Sequence, residues 1–351
     1  MQTSARPAWL ALAWISACVL ACVPPDPPEW VVAYPITWGI QASVVGAGIY
    51  SQDLEVLPGH TRAEMLPGDT VELRWFGAAP EDAQIRPPIW MLASGSFSGF
   101  VPILFEGGLP PCEQPLVSIY GFCRLGEGER VRVALASFDE LLNGPNLAYL
   151  QVLTIASDGD VIEPETCMQR AFGERNPDLT GCLIAVRHVP IGPDWRLMQL
   201  FPPDDELPEA YYDVPADTNP IITALRVERG SAQGVSTQLA TSGDRISVRP
   251  GEQIAVTLEL DADAAQEFVY LSSEPDGSFS ATTATETLTI EARLNATTVD
   301  FERSDDHLTY RWTAPDAPES LTFFVQIADD RGGFDFANLR FVSTLADGES
   351  P

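Results

Sequence analysis

Through the last third of this chain, apolar residues recur at every second position. Ile254, Val256, Leu258 and Leu260 alternate with Ala255, Thr257 and Glu259. Leu288, Ile290 and Leu294 alternate with Thr289, Glu291 and Arg293, and Leu308, Tyr310 and Trp312 with Thr309, Arg311 and Thr313. Leu321, Phe323, Val325 and Ile327 form the strongest run, which Asp330-Arg331-Gly332-Gly333 turns into residues 334–342. A period of two puts successive side chains on opposite faces of an extended strand, so one face of each strand is buried. The 30 prolines and 26 glycines suit many short strands joined by turns. With a further strand at residues 221–227, the stretch 221–345 has the strand number and turn spacing of a β-sandwich.

The upstream part is also β-rich. Pro67-Gly68-Asp69-Thr70 is a turn, followed by Val71, Leu73 and Trp75 alternating with Glu72 and Arg74. Pro250-Gly251-Glu252 repeats that turn before the Ile254 run. Residues 89–92 form a short apolar strand, and Val131, Val133 and Leu135 alternate again. Residues 149–155 are almost wholly apolar, as in a strand covered on both faces. Residues 191–212, rich in Pro, Asp and aromatics, read as a non-repetitive excursion. The expected class is therefore all-β with two β-rich domains. Residues 31–212 form the first, with irregular disulfide-bonded loops, and 221–345 the second. Residues 213–220 (Asp-Val-Pro-Ala-Asp-Thr-Asn-Pro) serve as linker and 346–351 as a tail.

The N-terminus sets the compartment. Residues 8–22 are apolar, follow a single positive charge at Arg6, and are too short to span a bilayer comfortably. They end in Val19-Leu20-Ala21-Cys22, which resembles a bacterial lipobox. The resemblance implies a signal peptide over residues 1–22 and a thioether-linked diacylglycerol on Cys22. The protein would then be lipid-anchored to a membrane of the cell envelope, periplasmic or at the cell surface. Ile15-Ser16-Ala17-Cys18 also fits the pattern. Cysteine parity favours Cys22, since Cys18 then leaves with the signal and four cysteines remain. Residues 23–30, with four prolines among the first six, suit a polyproline spacer. Cys112, Cys123, Cys167 and Cys182 allow three pairings, of which we favour nearest neighbours, Cys112–Cys123 and Cys167–Cys182. A metal site is the rival, but there is no C-x-x-C pair.

Charge excludes partners. Fifty acids against twenty bases give a net charge of −30, and every base is arginine. Phosphate repulsion argues against nucleic acid, and attraction to anionic lipid fails for the same reason. Gly95-Ser96-Phe97-Ser98-Gly99 has the outline of a nucleophile elbow, but Phe97 stands at the nucleophile position. His60, His188 and His307 lack metal-ligand spacing. Pairs such as Asp158/Asp160 and Asp204/Asp205 are expected by chance among fifty acids. Trp75, Trp90 and Trp312 sit at core positions of strand patterns. The reading is non-enzymatic, with no cofactor unless calcium binds. An envelope hydrolase with an acidic site in residues 156–212 is the alternative.

The Pro250-Gly251-Glu252 turn, Tyr310-Arg311-Trp312-Thr313-Ala314-Pro315 and the hairpin within residues 325–333 carry a further resemblance. Residues 220–343 resemble the immunoglobulin-like, cadherin-like and PKD-like modules of bacterial surface lipoproteins. They lack the Trp-x-Phe-Gly-Asp-Gly signature of PKD modules and the Cys…Trp…Cys framework of antibody domains. The resemblance implies a spacer or a recognition module for a protein or glycan partner. In such sandwiches the entry linker and two loops gather at one end. Here those positions hold Asp213, Asp217, Asp261, Asp263, Asp329 and Asp330. Clustered oxygens suit calcium, which cadherin-like modules place at such an end. A solvated acidic rim is the other reading of these residues.

Overall fold

The computed structural model describes residues 28–80, 83–92, 109–116, 123–137, 149–174, 176–200, 207–212, 214–231, 234–273, 279–296, 299–316 and 320–343. Residues 1–22 with Cys22, most of the proline-rich spacer, Asp213 and the tail lie outside them.

The alternating stretches form strands, and the strands form two sandwiches. In the first, β1 (Ile36–Gly46), β2 (Thr70–Ala78) and β5 (Arg130–Ala134) make an antiparallel sheet in the order β1-β2-β5. The facing sheet runs in the order β4-β3-β6-β7, from β3 (Ile85–Leu92), β4 (Cys123–Glu127), β6 (Tyr149–Asp158) and β7 (Cys182–Pro190). Val71, Leu73 and Trp75 of β2 enter the core between the sheets, against Trp90, Leu92, Leu150 and Val152. This strand order is that of an immunoglobulin-like sandwich. In sequence the two halves share only the Pro-Gly-acid turn and the strand after it.

The continuous apolar run of β6 has a clear cause. Leu150 and Val152 face the sandwich core. Leu153 and Ile155 face the other way, beneath helix α1 (Pro164–Gly173), which covers them with Met168, Ala171 and Phe172. Pro164 opens the helix, where its missing N–H is no loss. The Cys167–Cys182 disulfide ties α1 to β7, and Cys112–Cys123 closes the loop into β4. Both pairings are those expected.

In the second sandwich, one sheet has the order β15-β16-β11-β8-β9 and the other β10-β18-β17-β14. The strands are β8 (Ile222–Ser231), β9 (Gly234–Ala240), β10 (Arg245–Val248), β11 (Gln253–Leu260), β14 (Thr289–Leu294), β15 (Glu302–Arg303), β16 (Thr309–Thr313), β17 (Ser320–Ala328) and β18 (Phe334–Ser343). All neighbours are antiparallel except β10, which runs parallel to β18. The early strands are thus divided between the sheets, β8 beside β11 in one and β10 beside the last strand β18 in the other, an immunoglobulin-like arrangement. Strands β12 (Glu267–Ser273) and β13 (Phe279–Thr285) form a separate hairpin inserted between β11 and β14. Trp312 stacks on Phe323 and meets Phe341 edge-on within the core.

One expectation about connections changes. Trp30, assigned to the spacer, packs on Phe301 of the second sandwich, and Val31 bridges Leu294. The chain therefore touches the second sandwich before it builds the first. The linker is also buried, with Ala216, Asp217, Thr218 and Asn219 at most 3% exposed. A second apolar contact closes the same junction. Trp38 and Phe76 of the first sandwich pack on Phe324, Phe334 and Phe336 of the second. A Cβ at Gly39 would overlap the Phe334 ring, so that position admits glycine alone.

Phe323, fully buried among Tyr310, Trp312 and Phe301, tests the core. Its change to alanine should destabilise the second sandwich by about 3–5 kcal/mol, read from the denaturant midpoint. A loss under about 1 kcal/mol would mean the site collapses freely, contrary to this packing.

Candidate acidic junction between the sandwiches

The junction is built from segments of both sandwiches. From the first comes the loop between β1 and β2, and Asp69 holds it in shape. Asp69 accepts hydrogen bonds from the backbone N–H of Gly48 (2.7 Å) and Leu66 (2.7 Å), from the Ser51 hydroxyl, and from Arg62 (2.7 Å). Gly68, at φ +87°, makes the turn that the Pro-Gly-Asp sequence calls for. The loop so fixed carries His60 and Glu64 inward.

The linker enters next. Asn219 donates through Nδ2 to the Ala42 carbonyl (2.7 Å) and accepts through Oδ1 from the Phe334 N–H (3.0 Å). One side chain thus joins β1 to β18. Thr218 donates N–H and hydroxyl to Gln266 Oε1 at 2.8 and 2.9 Å. Between these two residues and the first sandwich, the Asp217 N–H donates to Glu64 Oε1 at 2.8 Å.

The β17–β18 hairpin supplies the remaining groups. Asp329 Oδ1 accepts the successive N–H groups of Arg331 (2.9 Å), Gly332 (2.6 Å) and Gly333 (2.7 Å). A side chain on Gly333 would overlap Asp329 Oδ2 and the linker backbone, so glycine is required there. Arg331 reaches Glu286 Oε1 at 3.1 Å and Glu64 Oε1 at 3.8 Å, with its guanidinium over Phe268. Arg187 of β7 donates to the Gly332 carbonyl. Glu286 accepts from the Gln266 N–H at 2.9 Å.

Carboxylate oxygens of Asp217, Glu286 and Asp329 lie within 4.8 Å of one another. Asp217 is fully buried, with its carboxyl in hydrogen-bonding reach of the Glu286 carboxyl and no N–H or hydroxyl donor on either oxygen; Asp329 Oδ2 has no partner. Burial pushes the Asp217 carboxyl well up, offset by Arg331 and reinforced by Asp329 and Glu64. Burial likewise raises Glu286 and Asp194, and lifts Glu64 to about 6 against Arg331's opposing pull. Arg331 shifts upward despite its own burial, because the acids around it favour its charge. Two guanidinium groups thus face at least four acids.

Of the six aspartates expected at this end, the structure brings together Asp217 and Asp329. Asp213 lies outside the described residues. Asp261 turns to His60 Nε2 (3.3 Å) and caps its own turn through the Asp263 N–H (3.0 Å). Asp263 is exposed, and Asp330 is exposed on the hairpin, near the Thr287 N–H at 3.3 Å. The strand ends turn these three outward, while the insertion carrying β12 and β13 returns through Glu286 and fills the place expected for them. Glu64, Glu286 and Arg187 were missed, and Arg331 was read only as part of a turn. Glu286 had a visible signal, as the acid that interrupts the alternation just before Leu288.

The acids of residues 156–212 do not converge among the described residues. Asp158 caps its own turn at Asp160, and Glu163 and Glu165 pair with Arg86 and Arg124. Asp194 alone joins the junction; Asp204 and Asp205 lie outside the described residues. A separate groove of about 700 Å³ opens between the sandwiches, lined by Arg74, Phe76, Thr241, Ser242, Asp335 and Asn338.

The fold and this junction define an all-β chain of two immunoglobulin-like sandwiches joined through a buried polar connection. No protein-family model matches it. A search of curated proteins likewise finds no match. A solved structure of the Clostridium thermocellum CbhA fibronectin(III)-like modules is similar at 8% identity, over 89% of this chain and 98% of that one, with a TM-score of 0.18. The fold assignment rests on the strand order above and not on that likeness.

Burial gives the junction a definite pH response. Glu64 titrates near 6 in the folded protein against 4.5 when free. The folded state therefore holds the proton more tightly, and stability falls as pH rises through that window. Glu64→Gln should flatten this fall by on the order of 1–2 kcal/mol, read from melting curves between pH 4.5 and 7. An unchanged slope would place the Glu64 carboxyl in contact with water.

Proposed function

We propose that this protein is a non-enzymatic, lipid-anchored component of the cell envelope, a stiff pair of sandwiches that acts as a spacer or a recognition module. The observation that carries the reading is the buried linker. With Ala216 to Asn219 shielded and Asn219 bonded to both sandwiches, the two cannot swing independently without exposing unpaired polar groups. A spacer needs that stiffness. The interdomain groove, with its hydroxyls, amide and charged pair, would suit a glycan or peptide partner. Two disulfides fit an oxidising compartment. Mass spectrometry of the mature N-terminus tests the anchor, with diacylglyceryl-Cys22 expected as the first residue. An unmodified start elsewhere, or lipid on Cys18, sinks it.

A second reading concerns calcium. Asp217, fully buried with no N–H or hydroxyl donor on its oxygens and carboxylates of Glu286 and Asp329 within 4.8 Å, supports a cation held by these three. Three carboxylates leave room in a six- to eight-oxygen shell for backbone carbonyls and water. The cation would compete with the Arg331 guanidinium for Glu286 and with protons for all three acids. A ligand that binds only the folded state adds about 2.7 kcal/mol at a hundredfold excess over its dissociation constant. Calcium should therefore raise the melting temperature more than sodium chloride of equal ionic strength, and Asp329→Asn should abolish the difference. Equal shifts from both salts would leave the junction as an arginine-compensated acid cluster.

A further inference from the structure

The outer edge of β9 is unlike the other edges of these sheets. An open edge presents unpaired backbone groups, and proteins blunt it with charge, proline or cover. Strand β15 is Glu-Arg, and β10, β14, β4 and β5 each carry charge. β7 carries Arg187 and Pro190. β1 has no charge but is covered, since Ala42 accepts from Asn219 and the Val44 N–H bonds the Arg62 carbonyl. The hairpin strand β13 is also uncharged, but it presents threonines and runs into Glu286 at the acidic junction.

β9 reads Gly-Val-Ser-Thr-Gln-Leu-Ala, with neither charge nor proline. It pairs with β8 on one side, and among the described residues no strand lies on the other. Val235 is 72% exposed and Leu239 66%, both on the face turned away from the core. The surrounding charge is also exceptional. Arg226, Arg229, Arg245 and Arg249 stand there against Glu228, Asp244, Glu252 and Glu259, so this region is near neutral in a chain at −30. Two copies of so acidic a protein repel across most of their surface. Here that repulsion is weak.

We propose that β9 is the dimerisation edge of the protein, pairing antiparallel with β9 of a second copy across a two-fold axis. The sequence is self-complementary about Thr237. With Thr237 opposite Thr237, Val235 of each copy lies opposite Leu239 of the other. The two apolar side chains then make cross-strand contact on one face of a continuous ten-stranded sheet, twice the five strands of each copy. A two-fold contact requires this kind of symmetric pattern, in which residue i meets j and j meets i. Cross-strand aliphatic and threonine pairs are the units that stabilise such a ladder. This edge lies in the second sandwich and does not depend on the anchor or on calcium.

Sedimentation equilibrium of the purified protein should show a concentration-dependent dimer. The double variant Val235→Glu, Leu239→Glu should raise the dimer dissociation constant about tenfold or more and leave the melting curve of the monomer unchanged, since both side chains are exposed. Register is tested separately. Thr237→Cys should form an intermolecular disulfide with an added thiol oxidant, whereas Gln238→Cys, on the opposite face, should not. A protein that stays monomeric at all concentrations overturns the proposal. So does a dimer indifferent to the glutamates, or one that cross-links equally through both cysteines.

Discussion

A buried carboxylate is tolerable only where another group compensates it, and the junction of this protein is arranged around that requirement. Arg331 is the centre of the arrangement. It meets Glu286 and Glu64 directly, stacks on Phe268, and gains charge stability from Asp217. Removing one partner of such a set leaves the others buried and uncompensated, which is far worse than lacking the set altogether. The consequence is structural. Glu64 belongs to the first sandwich, Asp217 to the linker, and Glu286 and Arg331 to the second. Arg331 and Glu286 pair within the second sandwich, but Glu64 meets Arg331 and the Asp217 N–H only when both sandwiches are in place, so the polar cluster helps to specify their relative position.

Apolar contact fixes the same geometry from the other side. Trp38 and Phe76 against Phe324, Phe334 and Phe336 provide non-directional attraction, while Asn219 and the hairpin N–H groups on Asp329 provide direction. The two kinds of interaction respond differently to conditions. Apolar burial is indifferent to pH, whereas the acids lose stability as they ionise. The polar part of the junction therefore sets how firmly the sandwiches are held, and the apolar part sets that they stay together at all.

The strands were legible because alternation is a local property. Leu321, Phe323, Val325 and Ile327 point inward for the same reason that their sequence alternates. Even the double coverage of β6 was visible, because a strand buried on both faces has no polar register. The junction was less legible. Asp217 and Asp329 followed from the topology expected of a sandwich, but Glu64 and Glu286 lie in segments whose path no periodicity predicts. The burial of the linker was the least legible feature. Its Asp, Thr, Asn and two prolines have the composition of an exposed tether, yet Thr218 and Asn219 use their side chains to satisfy a buried turn. Composition records that a segment is polar. It does not record whether water or protein meets that polarity.

The same distinction governs the charge of −30. Most of it keeps copies of the protein apart, as self-repulsion does for any strongly acidic surface. Repulsion of that size makes the exceptions informative. An acid cluster persists only where arginine, protons or a metal ion balance it, and an uncharged strand edge persists without aggregation only where its pairing is limited. On β9 the limit is geometric. Antiparallel self-pairing of this seven-residue strand occupies the edge in both copies, after which no open edge of the same kind is left on that side. A pairing that closes on itself stops at two copies, whereas a head-to-tail pairing would continue into a fibre. The symmetry of Val235 and Leu239 about Thr237 is therefore as important as their exposure.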